Sequence, residues 1–152
     1  VLIGSVDMTF NRFNWIVGGQ ADYGFISDTP MLNSAKINSQ KTSPYNKTYV
    51  GKNAVAIGLE AGYDIFSQIA SLKEDGRKLY LFGRYEYYDS YIKEHTQPSF
   101  DYTAKKRWAV GLNYFPIPQI AVKADYSMRI LRRQYNNEPS LNIGIAYQGF
   151  FL

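Results

Sequence analysis

The stretch RWAVGLNYFPIPQIAVKADYSMR, residues 107–129, decides the fold. Read at every second residue, Trp108, Val110, Leu112 and Tyr114 share one face, and Arg107, Ala109, Gly111 and Asn113 share the other. Beyond the prolines, Ile120, Val122, Ala124, Tyr126 and Met128 oppose Ala121, Lys123, Asp125, Ser127 and Arg129. Period-two alternation on both sides of a Pro-rich turn predicts an antiparallel hairpin. Its apolar face either packs inside a soluble barrel or sandwich, or it faces lipid.

The same alternation recurs along the chain and predicts five further strands. They span Val1–Phe10, Phe13–Ile26, Asn53–Phe66, Leu79–Ile92 and Leu141–Phe151, and no segment carries a convincing 3.6-residue period. The expected class is all-β, a seven-stranded antiparallel up-and-down meander. Up-and-down strands alternate ends, so Asn11–Arg12, Ser67–Lys78 and Pro116–Gln119 connect them at one end. Asp28–Lys52, Lys93–Lys106 and Gln134–Ser140 connect them at the other, which holds the two longest loops. Short turns at one end and long loops at the other are the asymmetry of outer-membrane barrels.

The composition leaves that reading open. The 152 residues suffice for one domain, and the absence of cysteine excludes disulfides and thiolate chemistry. The net charge of +4 is mild, and no nucleic-acid partner is expected. No apolar run reaches the length of a transmembrane helix, but membrane β-barrels escape that test because lipid-facing and lumen-facing residues alternate. The chain opens at Val1 straight into alternating residues without a signal peptide, so a lost start is expected.

The sorting of residues along the apolar face favours lipid. Trp15, Tyr63, Tyr114, Tyr147 and Phe151 stand near the short-turn end, and Tyr23, Phe25, Tyr87, Tyr91 and Trp108 near the long-loop end. Between them lie Val17, Ile57, Leu59, Leu81, Val110, Leu112, Val122, Ile143 and Ile145. Trp and Tyr prefer the two interfaces of a bilayer, whereas a soluble core has no reason to sort aromatics by height. The other face carries Asp7, Asp22, Glu60, Asp64, Arg84, Glu86, Arg107, Lys123, Asp125 and Arg129. A Lys or Arg near the bilayer midplane would cost about 2–4 kcal/mol, so these groups are expected to line water. Two charges on the apolar face, Asp89 and Arg132, fall near the long-loop end, where the penalty is small.

The hairpin resembles the penultimate hairpin of trimeric-type bacterial porins, in particular the phosphate-selective porin O and P family. The resemblance rests on Gly111, Asn113 and Tyr114 at a strand end, the turn prolines Pro116 and Pro118, and the alternating Lys123 and Asp125. The stretch LYLFGRYEYYDSY is similar to a long porin strand with an inward arginine. The final SLNIGIAYQGFFL is similar to the strand signal read by the outer-membrane assembly machinery, through Leu141, Ile143, Ile145, Tyr147 and the terminal aromatic Phe151. It departs from that signal in Gly149 and in ending at Leu152. The resemblance covers mainly residues 79–152.

It implies a transmembrane barrel of about 16 strands around a water-filled channel, often a homotrimer, in the bacterial outer membrane. This chain, residues 1–152, would then be the C-terminal portion of one such barrel domain. If the first and last strands both run toward the periplasm, a strand running up must precede the first. The implied function is passive diffusion of small hydrophilic solutes or ions, with no cofactor and no metal. The alternatives are a non-transporting barrel subunit of a larger outer-membrane complex and a soluble ligand-binding β-barrel.

Enzymatic chemistry finds little support. His95 is the only histidine, and no serine–histidine or metal-ligand spacing surrounds it. Glu60 and Asp64 share a face, as do Arg84 and Glu86, but on a channel wall such groups are solvated or ion-paired. The family's arginine ladder for phosphate is not visible, because the acids offset Arg84, Arg107, Lys123 and Arg129. Strand glycines Gly58, Gly62, Gly83, Gly111 and Gly144 are expected to relieve crowding. Lys36, Lys41, Lys47, Lys52, Lys93, Lys105, Lys106, Arg132 and Arg133 gather at the long-loop end, either as a solvated rim or as contacts to lipopolysaccharide phosphates.

Overall fold

A computed structural model describes residues 1–34, 49–93, 100, 103–131 and 136–147. Seven antiparallel strands lie in sequence order in one sheet. They are β1 (Leu2–Arg12), β2 (Trp15–Phe25), β3 (Asn53–Asp64), β4 (Lys78–Ile92), β5 (Ala104–Ile117), β6 (Ile120–Ile130) and β7 (Glu138–Tyr147). The all-β meander expected from alternation is therefore observed. The sheet is open: β1 pairs only with β2 and β7 only with β6. His95, Phe151, Lys36, Lys41, Lys47, Arg132 and Arg133 lie outside the described residues.

The connections differ in detail from the alternation reading. The first turn is Phe13–Asn14 rather than Asn11–Arg12, because pairing runs on to Arg12 opposite Trp15. Both turn residues have positive φ, 55° and 66°, the two-residue turn whose twist matches a hairpin. The hairpin of residues 107–129 turns at Pro118–Gln119, between the paired Ile117 and Ile120. Pro116 falls instead where the register shifts between Tyr114 and Ile117, a place where a missing N–H breaks no ladder bond. The third connection at this end holds a 3-10 turn, Ile65–Gln68, and a short helix, Ala70–Glu74. A second short helix, Thr29–Ser34, follows β2 at the other end. Neither helix is long enough to print a 3.6-residue period on the sequence. Among the described residues no helix is long and apolar enough to cross a membrane.

At the long-loop end the chain returning from the segment after β2 is fastened to the sheet. Asn33 and Val50 exchange two hydrogen bonds, 3.0 and 2.7 Å. The Ile26 N–H donates to the Lys52 carbonyl at 2.8 Å, and the Lys52 N–H donates to the Ile92 carbonyl at 3.1 Å. Tyr91 stacks edge-on against Phe100 at 5.0 Å, and Phe100 meets Tyr49 at 5.6 Å.

Alanines and glycines reveal which face is crowded, since their size is constant. On the polar face of β5 and β6, Ala109 and Ala121 are buried, while Ala124 on the apolar face of β6 is exposed. Gly62 on the polar face is buried and Gly83 on the apolar face is exposed. The crowding marks a sheet curled toward its polar side. Leu2, Val6, Leu59, Leu81, Val110, Ile143 and Ile145 meanwhile stand out on the open side, each at least half exposed. The apolar face is not a core of this sheet.

Candidate functional site

The register places the polar-face residues in continuous rungs. Asp7, Gln20, Gly58, Glu86, Arg107, Arg129 and Glu138 are successive cross-strand partners from β1 to β7. The next rung reads Thr9, Gly18, Glu60, Arg84, Ala109, Ser127 and Ser140. Side chains join within and between rungs. Arg84 Nε donates to Glu60 Oε2 at 2.6 Å, and a second guanidinium nitrogen of Arg84 also contacts that oxygen. Glu86 lies 3.8 Å from both Arg84 and Arg107. Arg107 donates to the buried Ser127 hydroxyl at 3.1 Å, and Arg129 pairs with Glu138 at 2.6 Å. Asp22 accepts from Ser5 at 2.5 Å and from Gln20 at 3.0 Å, and Asp125 accepts from Asn142 at 2.9 Å. Half-exposed pairs of this kind add at most about 1 kcal/mol each, so their main effect is on the field above the polar face.

That field is divided. Asp7, Asp22 and Glu60 sit on β1 to β3, whereas Lys105, Arg107, Lys123 and Arg129 outnumber Asp125 on β5 and β6, with Arg84 and Glu86 on β4 between them and Glu138 on β7. Among the described residues Lys123 forms no ion pair. Over the acidic side lies a hollow of about 400 Å³ bordered by Asp7, Thr9, Gln20, Glu60, Arg84 and Glu86. Gly18 and Gly58 also border it, and a Cβ at either would meet nothing within 4 Å. These glycines hold space open rather than relieve crowding, and Gly83 and Gly144 also have open space. Gly111 is different. A Cβ there would stand 2.6 Å from the Ala124 carbonyl oxygen and 2.7 Å from the Phe82 ring.

Asp64 was expected on the water-lining wall but has a structural task. It is buried, and its carboxylate accepts from the backbone N–H groups of Phe66 at 3.1 Å and Leu79 at 3.0 Å. It caps the 3-10 turn and ties it to the start of β4. Tyr91 also departs from expectation. A register shift between Asn53 and Val55 puts an extra residue into β4, which breaks the alternation there and buries Tyr91 against Phe100.

The apolar-face aromatics form two rows that cross the rungs obliquely. Trp15, Tyr63, Leu81, Leu112, Ala124 and Ile143 are one rung. Counted from it, the upper row starts at Tyr23, four rungs up on β2. It continues at Tyr87 three rungs up on β4, Trp108 two up on β5 and Tyr126 one up on β6. The lower row holds Trp15 and Tyr63 on the reference rung, Tyr114 one rung down on β5 and Tyr147 two down on β7. Two aromatics stand off the upper row: Phe25, expected in it, is one rung outside on β2, and Tyr85 is one rung inside on β4.

Both rows descend in the same direction. The upper one drops three rungs over the four steps from β2 to β6, and the lower one two rungs over the four steps from β3 to β7. With about 6.7 Å per rung and about 4.8 Å per strand step, the strands are inclined to the rows' normal by about 46° and about 35°. Neighbouring rings touch along the rows: Trp15 and Tyr63 at 4.9 Å, Trp108 and Tyr126 at 5.7 Å. The sequence names Tyr126 as apolar-facing, but its place in the upper row needs the register.

Lys106 is the other residue that alternation misses. It was assigned to a loop, but β5 begins at Ala104, which places Lys106 on the apolar face between Tyr87 and Ile130. Its neighbour Lys105 turns to the other face, 5.9 Å over the Tyr88 ring. Among the described residues no group of three His, Cys, Asp or Glu side chains stands together as a metal site. No family model, no curated protein and no solved structure matches this chain.

Proposed function

We propose that the sheet is part of the wall of a transmembrane β-barrel in the bacterial outer membrane. In this reading the polar face lines a water-filled channel through which small hydrophilic solutes or ions diffuse passively. The observation that carries the reading is the pair of parallel oblique aromatic rows. Strands of outer-membrane barrels tilt by about 35–45° and carry an aromatic girdle at each interface, so two level girdles must cross the register obliquely. The inclinations of about 46° and about 35° are those of such strands. Nothing in a soluble sandwich demands rows that shift with each strand. The exposed apolar face and the crowded polar face agree in sign, since lipid would cover the first and the barrel would curl toward the second.

The channel wall would be Asp22, Glu60, Arg84, Glu86, Arg107, Lys123, Asp125 and Arg129, with acids alone on β2 and β3 and bases in excess on β5 and β6. Full-length protein reconstituted into planar bilayers is expected to conduct ions. A folded, inserted protein without conductance would leave the barrel but remove the channel, and would favour the non-transporting subunit. Release of the protein into buffer without detergent would remove both.

A further inference from the structure

We infer that the connection between β3 and β4 is a membrane anchor, seated through Ile65, Phe66 and Ile69 in the headgroup–acyl boundary of the phospholipid leaflet at the short-turn end. The inference rests on the membrane reading above and deepens it. A connection at the rim of a barrel ordinarily stands in water beyond the strand ends. This one folds back against the apolar face. Phe66 follows β3 in the chain, yet its ring meets Tyr114 of β5 edge-on at 6.0 Å. The Gln68 side-chain amide donates to the Tyr63 hydroxyl on β3. Tyr63 and Tyr114 belong to strands two steps apart, about 10 Å, with β4 between them. The 3-10 turn Ile65–Gln68 therefore crosses the apolar side of β4 along the lower aromatic row.

The turn lies where β4 has no aromatic of its own. The lower row passes Tyr63 on the reference rung and Tyr114 one rung down, and β4 presents Leu81 and Leu79 on those two rungs. Phe66 supplies the ring that β4 lacks. Asp64 holds the arrangement in place, because its buried carboxylate accepts from the N–H groups of both Phe66 and Leu79. Swinging the turn away from the sheet would leave that carboxylate short of a partner. The Ile69 N–H donates to the Phe66 carbonyl at 3.0 Å, which brings Ile69 alongside Phe66. Ile69 is 45% exposed and Ile65 36% exposed, so the protein itself leaves both uncovered. Two uncovered isoleucines held at the height of the Trp15–Tyr63 ring pair fit a lipid interface, which is half apolar, better than water. The connection ends differently, in the exposed charges Lys73, Glu74, Asp75 and Arg77. An apolar start against the sheet and a charged end make it amphipathic in the manner of an interfacial segment.

The test is nitroxide labelling of the full-length protein in phospholipid vesicles, with any thiol outside these residues replaced by serine. Ile65→Cys, Ile69→Cys and Glu74→Cys carry the label on the connection, and Leu59→Cys carries it in the middle of the apolar band as a reference. Collision of the label with oxygen, which concentrates in lipid, is compared with collision with a water-soluble nickel complex. The ratio of oxygen to nickel collisions is expected to be higher at the two isoleucine positions than at Glu74, and highest at Leu59. Folding of each labelled protein is checked by heat-dependent gel mobility. A ratio at either isoleucine position as low as at Glu74, with a high ratio at Leu59, overturns the inference and leaves the membrane reading intact. Shielding of either isoleucine position from both reagents also overturns it, because a protein partner or a second copy would then cover the connection. A low ratio at Leu59 removes the membrane reading itself.

Discussion

Leu59 and Met128 stand on the same rung and the same face, as successive partners with Gly19, Tyr85 and Trp108. In a sheet with upright strands they would have the same surroundings, but in a tilted one they do not. Leu59 lies two rungs above Tyr63 on β3, about 13 Å along the strand and about 10 Å in height, in the middle of the apolar band. Met128 lies one rung above Tyr126, outside the upper girdle by about 5 Å. An arginine costs about 2–4 kcal/mol at the bilayer midplane and about 0–1 kcal/mol near an interface. Leu59→Arg should therefore destabilise the folded protein by about 2–3 kcal/mol more than Met128→Arg. The assay is reversible urea unfolding of the full-length protein in lipid vesicles, followed by tryptophan fluorescence. Equal penalties at the two positions would refute the tilt and the girdles together. Equal and small penalties would indicate a face open to water. Equal and large ones would indicate a face covered by protein.

Other substitutions probe separate parts of the argument. Gly111→Ala should destabilise by about 1–3 kcal/mol, because its new methyl meets backbone and a ring, whereas Gly83→Ala should be neutral within about 1 kcal/mol; urea midpoints decide. Asp64→Ala should cost about 1–2 kcal/mol through the lost turn cap, with single-channel conductance unchanged in a planar bilayer, since that carboxylate is spent on backbone. Replacing Arg107 and Arg129 by Gln should shift the reversal potential in a salt gradient toward cation selectivity. Glu60→Gln should shift it the other way, and movement in the same direction for both would contradict their place on the channel wall.

Much of the fold was legible because period two is the signal of a sheet with one apolar and one polar face. The hairpin of residues 107–129 shows this: both strands and both faces stand in the sequence, and only the position of Pro116 moved. What alternation cannot register is an extra residue. The shift near Asn53 turned Tyr91 from a girdle residue into part of a buried ring cluster. Nor does it locate a strand's start. Ala104 is as plausible in a loop as in a strand, so the face of Lys106 emerged only from pairing with Tyr87 and Ile130. Asp64 shows a third limit, because a carboxylate capping a turn and one lining water have the same alternation. The tilt was hidden for a different reason. It is a relation among six strands, β2 to β7, and no single strand carries it.

The edges of the sheet extend the same reasoning. β1 is eleven residues of exposed, alternating strand, with Leu2, Ile3, Val6 and Met8 each more than 60% exposed, and β7 is exposed throughout. In water such edges recruit other strands, and in lipid each unpaired backbone group costs several kcal/mol. A membrane reading therefore requires both edges to be paired. They cannot pair with each other in the manner of the rest of the sheet. An up-and-down order of seven strands makes β1 and β7 parallel, so an all-antiparallel wall needs an odd number of strands between them. Residues 1–152 contain no cysteine, so engineered thiols in this sheet meet no native thiol within it. Asp7→Cys and Asn142→Cys put one thiol on the polar face of each edge strand. No intramolecular disulfide is expected on oxidation of the folded full-length protein. A disulfide forming readily between these positions would mean that β1 and β7 are neighbours, and the inserted strands would have to be abandoned.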